Sequence, residues 1–236
     1  MKKIRAVLFD LDGTLLPMDL DRFLKEYFNS LTAKAVASGY GQKKFSRALM
    51  CGIEASLAND GKDTNEKVFW SAFDRAFGEK SIDRAIFDEF YREEFSRLRS
   101  TCGYTDKARW AVLKIKELGL RVALATNPVY PAVATNQRIA WAGLSPEDFE
   151  LVTTYESYKY AKPSVGYFLE VAEKMGVSPE ECLVVGNDTS DDMVAEQCGM
   201  RVFLLTDYLI NRKGEDISRY PNGTYTDLIR YATELE

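Results

Sequence analysis

Short apolar runs alternating with longer amphipathic segments constrain the fold of this chain more than any other feature. Apolar runs with the length of buried strands are found at residues 4–9, 121–125, 182–185 and 202–205, with a shorter one near 151–154. From residue 105 onward they alternate with segments of helical period at 106–118, 132–142, 165–175, 191–198 and about 226–233. This alternation predicts an α/β fold built on a doubly wound parallel sheet, which is Rossmann-like.

The region between the first two strands has a different pattern. Four amphipathic segments, at about 19–38, 42–58, 64–77 and 82–99, follow one another without a convincing strand. We expect an all-helical inserted domain at 18–103, an α/β core domain at 1–17 and 104–236, and hinges near 16–18 and 103–105. Closure of this insert over the core would exclude water from a site between them.

Seven aromatic residues of the insert recur at helical spacing, which favours an internal core over a substrate pocket. They are Phe23, Tyr27, Phe69, Trp70, Phe73, Phe90 and Phe95. Two arginines of the same segments, Arg22 and Arg47, are candidates for meeting an anionic substrate, although solvated helix faces explain them better.

The chain has no histidine. Catalysis of the Ser-His-Asp or Cys-His type is therefore excluded, as is any imidazole metal ligand, and acid–base chemistry falls to carboxylates, Lys, Tyr or Cys. A bound metal would take oxygen ligands, which favours Mg²⁺ or Ca²⁺.

The composition limits which classes of binding partner and which cellular compartment are expected. The net charge of −5 argues against nucleic acid. No apolar run approaches the roughly 18 residues of a membrane span, and the start of the chain does not have the pattern of a signal peptide. The cysteines are scattered without a CxxC motif, which indicates reduced thiols in a cytoplasmic protein.

Polar residues follow the first predicted strand directly. Asp10 and Asp12 are separated by one residue, so in an extended backbone both carboxylates face one side. Buried together they repel each other unless a cation such as Mg²⁺ neutralises them. The alternative is a strand that ends in a turn with Asp side chains capping backbone N–H groups.

Three further polar positions come at the other strand ends and before a helix. Thr126 and Asn127 follow the second strand, where a hydroxyl and backbone N–H groups can hold a phosphoryl oxygen, although taken alone they are better explained by ordinary turn chemistry. Lys162 precedes Pro163 and a helix; it could reach into an acidic crevice, or it could be a surface lysine.

The strand at 182–185 ends in an acidic cluster. Asn187 or Asp188 could bind a metal, and Asp192 lies one helical turn later, where it could orient a water or Lys162. A helix N-terminus also favours acidic residues, so these side chains could be caps. The two interpretations are compatible.

Taken together, these motifs resemble those of the haloacid dehalogenase (HAD) superfamily of hydrolases. The four motifs occur in the family's order: DLDGT at 10–14, the strand-ending Thr126, Lys162-Pro163, and the acidic strand end at 188–192. The resemblance covers the whole chain, and the helical insert is similar to the family's C1-type cap domain.

The resemblance implies an Mg²⁺-dependent phosphatase that acts on a small phosphorylated metabolite. Asp10 would be the nucleophile that forms an aspartyl-phosphate, and Asp12 would be the general acid and then the general base. Mg²⁺ would lie between Asp10, the main-chain carbonyl of Asp12, Asp188 and the phosphate.

In the same scheme Thr126 and the Asn127 backbone would hold the phosphoryl group, and Lys162 would offset the negative charge. The family usually has Gly-Asp after the last of these strands, whereas this chain has Gly186-Asn187-Asp188. One alignment makes Asp188 the metal ligand and Asp192 the second acid, and we prefer it because a carboxylate binds Mg²⁺ better than an amide. In the alternative alignment Asn187 takes the ligand position.

Other functions remain open on this fold. A phosphomutase would share all four motifs, and a haloacid dehalogenase would share most of them but has no use for a leaving-group acid at Asp12. A catalytically inactive binding protein is the alternative from a different class. A nucleotide-binding dehydrogenase would need GxGxxG after the first strand, where this chain has DLDGT.

Overall fold

A six-stranded parallel sheet forms the centre of the protein. We describe a computed structural model over residues 3–78 and 82–235. The strands run in the order β3-β2-β1-β4-β5-β6. Their bounds are β1 Ala6–Phe9, β2 Arg121–Leu124, β3 Leu151–Val152, β4 Cys182–Gly186, β5 Arg201–Leu205 and β6 Asn222–Gly223. The doubly wound parallel sheet predicted from the sequence is thereby confirmed.

Helices cover both faces of this sheet. In the described residues the α-helices are α1 Leu20–Ala37, α2 Gln42–Leu57, α3 Asn65–Phe77, α4 Ala85–Glu89, α5 Asp106–Glu117, α6 Ala132–Trp141, α7 Val165–Met175 and α8 Tyr225–Leu235. Val7 and Phe9 of β1 belong to the same apolar cluster as residues of α5, α6, α8 and the insert. Ala6 and Leu8 belong to the opposite cluster, with residues of α7. The side chains of β1 thus alternate between two buried faces, as a strand in the middle of such a sheet requires.

The segment between β1 and α5 is helical, as the sequence predicts. α1, α2 and α3 carry apolar stripes that belong to one cluster, and Asp19 and Thr64 cap the first and third of these helices. The two chain segments that join the insert to the sheet lie side by side. Met18 forms an antiparallel bridge with Cys102, and the N–H of Gly103 donates to the carbonyl of Pro17 at 2.6 Å.

The prediction of one regular helix over 82–99 is wrong. The chain forms α4, then a π-turn at Phe90–Glu94, then a 3₁₀ helix at Phe95–Thr101. In the π-turn the N–H of Phe95 donates to the carbonyl of Phe90, five residues back. This extra residue places Phe90, Tyr91 and Phe95 all on the buried face, where the rings of Phe90 and Phe95 meet at 6.2 Å.

Two smaller differences concern the region after β4. The helix predicted at 191–198 is a 3₁₀ helix at Met193–Cys198. It begins later because the Asp188 carboxylate accepts the N–H groups of Ser190 and Asp191 and so holds them in a turn. β6 was not predicted, because Asn222–Gly223 contains no apolar run.

The structure also bears on the predictions about membrane spans and cysteines. None of the helices within the two described ranges combines the length and apolarity needed to cross a bilayer. All four cysteines are free thiols; Cys182 is buried, and the other three are only partly buried. The predicted domain ranges include residues 1–2, 79–81 and 236, which lie outside the described residues.

Candidate active site

The predicted site residues meet at the carboxyl edge of the sheet. Asp10 follows β1, whose last residue is level with Leu124 of β2 and Val185 of β4. Thr126 and Asn187 therefore come off neighbouring strands beside Asp10. One cavity is lined by all of the predicted site residues, namely Asp10, Asp12, Thr126, Asn127, Lys162, Asn187, Asp188 and Asp192.

Lys162 is a buried cation between two carboxylates, so the interpretation as a surface lysine is wrong. Its side chain is 2% exposed, and Nζ donates to Asp10 Oδ1 at 2.7 Å and to Asp192 Oδ1 at 2.6 Å. Burial opposes the charged ammonium, but the two carboxylates outweigh it and hold the pKa of Lys162 well above its usual range. Burial raises the pKa of Asp10, with Asp192 and Asp12 adding to the effect and Lys162 opposing it.

The backbone around Lys162 is fixed by the turn that follows β2. Asn127 accepts from the N–H of Lys162 at 3.2 Å and donates to its carbonyl at 3.5 Å. The carbonyl of Thr126 accepts from the hydroxyls of Thr153 at 2.5 Å and Tyr167 at 2.9 Å. Thr126 itself borders the cavity. The Asn127 side chain thus positions Lys162, a role that the sequence did not predict.

Asn187 joins the loop after β1 to the loop after β5. Its Oδ1 accepts from the Thr14 hydroxyl at 3.1 Å, and its Nδ2 donates to the carbonyl of Tyr208 at 2.6 Å. The side chain also lies against Gly13, where a Cβ atom would be 2.3 Å from Asn187 Nδ2 and where φ is +83°. Only glycine fits such a position. Asn187 is 2% exposed and both ends of its amide are engaged.

Asp192 organises the loop that carries Asp188. Its Oδ2 accepts the N–H groups of Asn187 at 3.1 Å and Asp188 at 3.0 Å, while its other oxygen receives Lys162. A Cβ atom on Gly186 would lie 2.2 Å from this carboxyl carbon, so the close approach requires glycine. Asp188 also caps, through Oδ1. The capping role considered from the sequence is therefore present alongside the placement at the cavity.

Arg138 is the most important site residue that the sequence reading missed. It lies on α6, is completely buried, and its guanidinium donates to Asp12 Oδ2. The guanidinium also lies over the Tyr130 ring at 4.3 Å and donates to the Thr135 hydroxyl at 3.3 Å. The other oxygen of Asp12, Oδ1, is buried and has no hydrogen-bond partner. Arg138 thus holds one oxygen of Asp12 and leaves the other available.

A signal for Arg138 was present in the sequence. The buried residues of α6 are Ala134, Thr135, Arg138 and Ile139. A helical wheel places Arg138 on this apolar stripe, one turn after Ala134, and an arginine in such a place needs a buried carboxylate partner. The period of α6 could therefore have predicted a buried ion pair, although not which aspartate would complete it.

The cavity floor carries more negative than positive charge. Among the described residues, five aspartates border this floor against the ammonium of Lys162, namely Asp10, Asp12, Asp188, Asp191 and Asp192. Burial raises the pKa of Asp188, and burial together with Asp188 and Asp192 raises the pKa of Asp191 to about 6. An excess of buried carboxylate oxygens is the donor chemistry that a hard cation such as Mg²⁺ requires.

These oxygens do not form a complete metal cage of side chains. In the described part of the chain, no group of three acidic, histidine or cysteine side chains is arranged to hold an ion alone. A cation there would also need main-chain, water or phosphate oxygens. Such mixed ligation is usual for Mg²⁺, which keeps several waters and is commonly bound through one or two carboxylates.

The cavity extends from the aspartates into the helical insert and has a volume of about 540 Å³. All seven aromatic residues predicted as the insert's core are buried, but Tyr27, Phe69 and Trp70 also line this cavity. Core and pocket are therefore partly the same residues. Arg22 and Arg47 are exposed and lie outside the cavity lining.

Comparison with known proteins identifies the family of this chain. A family model described as haloacid dehalogenase-like hydrolase matches residues 4–199. The chain is 26% identical over 201 residues to a phosphoglycolate phosphatase of Xanthomonas campestris, covering 85% of this chain and 82% of the relative. A crystal structure of a HAD phosphatase from Thermococcus onnurineus superposes with a TM-score of 0.58 at 20% identity, covering 97% of each chain.

A second solved structure carries bound groups. The HAD family enzyme bt-2542 of Bacteroides thetaiotaomicron, in complex with magnesium and inorganic phosphate, superposes with a TM-score of 0.53 at 21% identity. It covers 92% of this chain and 98% of its own. The family model spans most of the chain, and the site residues fall within it. The chain therefore belongs to the haloacid dehalogenase-like hydrolases.

Proposed function

We propose that this protein is an Mg²⁺-dependent phosphatase that hydrolyses a phosphate monoester of a small metabolite through an aspartyl-phosphate on Asp10. The observation that carries the proposal is the buried Asp10–Lys162–Asp192 arrangement beside Asp12, in a cavity between sheet and insert. We further propose that 18–103 acts as a C1-type cap domain over the core formed by 1–17 and 104–236. The four free thiols suit a cytoplasmic setting.

In the first step an oxygen of the Asp10 carboxylate attacks phosphorus, and the bond between phosphorus and the ester oxygen breaks. The ammonium of Lys162 favours the ionised form of Asp10 and offsets charge on the phosphoryl oxygens, while the hydroxyl of Thr126 and the backbone N–H of Asn127 bind those oxygens. Asp12 gives a proton to the departing alcohol oxygen.

In the second step Asp12 takes a proton from water, and that water attacks the phosphorus of the aspartyl-phosphate. The bond from phosphorus to Asp10 breaks, which releases inorganic phosphate and regenerates the carboxylate. Asp12 Oδ1 is the atom suited to carry the proton, because Oδ2 is held by Arg138. Arg138 is therefore a positioning residue for Asp12.

Mg²⁺ bound by the carboxylates of Asp10 and Asp188 and the main-chain carbonyl of Asp12 would supply positive charge to the phosphoryl oxygens. Asp188 is favoured over Asn187 because both ends of the Asn187 amide already have partners. Asp192 is equally committed, to Lys162 and two backbone N–H groups.

The metal assignment is tested by titrating Mg²⁺ into protein that has been stripped with EDTA. We expect EDTA to abolish hydrolysis of phosphate esters and Mg²⁺ to restore it. The Asp188→Asn variant should need about 10- to 100-fold more Mg²⁺ for half-maximal activity, and calorimetry should show correspondingly weaker Mg²⁺ binding. Asn187→Ser should leave the Mg²⁺ requirement within about 3-fold of the parent. Hydrolysis that continues unchanged in EDTA, or a larger shift for Asn187→Ser, would contradict the assignment.

The positioning role of Arg138 predicts an effect that depends on the leaving group. An ester with a basic leaving oxygen needs the proton from Asp12 more than an ester with a good leaving group. We expect Arg138→Met to lower kcat for phenyl phosphate about 10- to 100-fold and to lower kcat for p-nitrophenyl phosphate much less. Arg138→Lys should recover part of the loss. Arg109→Met, which removes an exposed arginine of α5, is the control. Equal losses on both esters would mean that Arg138 is only structural.

A further inference from the structure

The upper part of the cavity is lined by apolar side chains of α2 and α6. Met50, Ile53 and Leu57 of α2 form one wall with helical spacing, and Val133 of α6 forms part of another. Met50 and Leu57 are each 41% exposed and Val133 is 44% exposed, and all three line the cavity. Apolar surface left open inside a cavity is the usual mark of a site for an apolar ligand.

Aromatic rings complete the walls. Phe28, Phe69, Trp70, Phe87 and Tyr91 border the same space. The hydroxyl of Tyr91 is already paired with that of Tyr27, at 2.7 Å. The polar side chains of Glu66, Asp88 and Tyr155 also border this space, but most of the wall is ring and aliphatic surface. A ligand rich in hydroxyls, such as a sugar, would turn several of them toward that surface and lose hydrogen bonds to water without replacing them.

Among the described residues, each cation that borders the cavity already has a carboxylate partner. Within the described residues Lys162 and Arg84 are the cations that border it. Lys162 is committed to Asp10 and Asp192. Arg84 lies over the Trp70 ring at 4.4 Å and donates to Asp74 at 2.9 Å.

Apart from Arg84, the charged side chains of the insert that border the cavity are acidic within the described residues. Glu66 and Asp88 border the cavity on the insert side, so their carboxylates would repel an anion there. A phosphorylated carboxylic acid would place its carboxylate between apolar walls and these two acids, where it has no partner.

From these observations we propose that the substrate's alcohol part is uncharged and apolar, which makes the preferred substrate an aryl-bearing or alkyl phosphate monoester. This inference rests on the proposed phosphatase function and adds the chemical class of the leaving group. The volume of about 540 Å³ is within the range of sites for small organic ligands, and a ring or short chain would fill the part beyond the phosphate. The relative from Xanthomonas campestris is named for phosphoglycolate, a charged acid; the cavity of this chain argues for a different substrate.

The test compares esters that differ in the group placed in the cavity. Benzyl phosphate and ethyl phosphate are both esters of primary alcohols, so their difference reports chiefly on the apolar walls. We expect kcat/KM for benzyl phosphate to exceed that for ethyl phosphate by at least about 10-fold and that for phosphoglycolate by at least about 100-fold. A preference for phosphoglycolate or glycerol phosphate would overturn the inference and leave the proposed phosphatase function standing.

A matched pair of variants locates the effect. Leu57→Lys places a cation in the apolar wall and should lower the ratio of kcat/KM for benzyl phosphate over phosphoglycolate by at least about 10-fold. Val36→Lys makes the same change at an exposed apolar residue of α1 that does not border the cavity, and it should leave that ratio unchanged. Equal ratios for the two variants would contradict the assignment.

A binding measurement separates this inference from the proposed reaction. Benzylphosphonate and phosphonoacetate cannot be hydrolysed, and calorimetry in the presence of Mg²⁺ should show at least about 10-fold tighter binding of benzylphosphonate. If no ester is hydrolysed but benzylphosphonate binds more tightly, the proposed phosphatase function fails and the apolar site stands. If phosphonoacetate binds as tightly as benzylphosphonate or more so, the apolar site fails whatever the activity.

Discussion

Replacing Asp10 by asparagine is expected to lower kcat for phosphate esters by at least about 10³-fold, because the amide oxygen is a poor nucleophile toward phosphorus. The change keeps the shape of the side chain and removes a charge from a buried acidic cluster in which burial raises the pKa of Asp10. The fold should therefore remain, with a melting temperature no lower than that of the parent. The measurement is steady-state kinetics together with thermal denaturation.

Two comparisons make this result specific to Asp10. Asp74→Asn alters an exposed aspartate of α3 whose partner is Arg84 at the surface, and it should keep kcat within about 3-fold of the parent. An Asp10→Asn protein that is folded and turns over at more than about a tenth of the parent rate would show that another group is the nucleophile.

Replacing Lys162 by methionine should affect both stability and catalysis. The variant leaves Asp10 and Asp192 buried in one cavity without the cation that each contacts. Removing one partner from a buried ion pair costs about 3–5 kcal/mol of unfolding free energy. Loss of the charge next to the phosphoryl group should lower kcat by about 10²- to 10³-fold. Denaturant unfolding and kinetics at saturating Mg²⁺ measure the two effects.

The control is a lysine from the same segment. Lys159 is exposed, and Lys159→Met should change the unfolding free energy by no more than about 0.5 kcal/mol, with activity retained. If Lys162→Met has the stability and activity of this control, the buried ion pairs of Lys162 contribute neither to the unfolding free energy nor to catalysis.

The core fold was predictable because local patterns and the overall topology agree. β1, β2, β4 and β5 are continuous apolar runs, and the strands of the sheet alternate with helices of clear period. The elements that were not predicted, or that were predicted with a different helix type, lack such patterns. Asn222–Gly223 pairs with β5 through backbone hydrogen bonds that leave no apolar signature. The π-turn at Phe90–Glu94 follows from how buried aromatic residues pack, which a helical period alone does not encode.

The positions of the site residues were also predictable, but their partners were not. Strand ends indicated where Asp10, Thr126 and Asp188 would gather, and the resemblance to a known family added Lys162. Ion pairs between residues far apart in the chain could not be predicted from the sequence. Arg138 stands 126 positions from Asp12 along the chain, and only the fold brings α6 against the loop after β1.

The choice between Asn187 and Asp188 as metal ligand also depends on long-range partners. Both residues follow β4 at a spacing that suits a metal ligand. The difference lies in what surrounds them: the Asn187 amide is held by the Thr14 hydroxyl and the carbonyl of Tyr208, whereas Asp188 uses one oxygen to cap a turn. These partners come from distant parts of the chain, and a single sequence does not indicate them.

The most direct test of the account is to identify the residue that carries phosphorus during turnover. Mg²⁺-loaded protein is mixed with ³²P-labelled phosphate ester, quenched rapidly in acid, and digested for peptide mapping. We predict label on the peptide that contains Asp10, release of that label by hydroxylamine as expected for an acyl phosphate, and no label in Asp10→Asn. Turnover without label on the protein, or label on a peptide that lacks Asp10, would contradict the proposed mechanism.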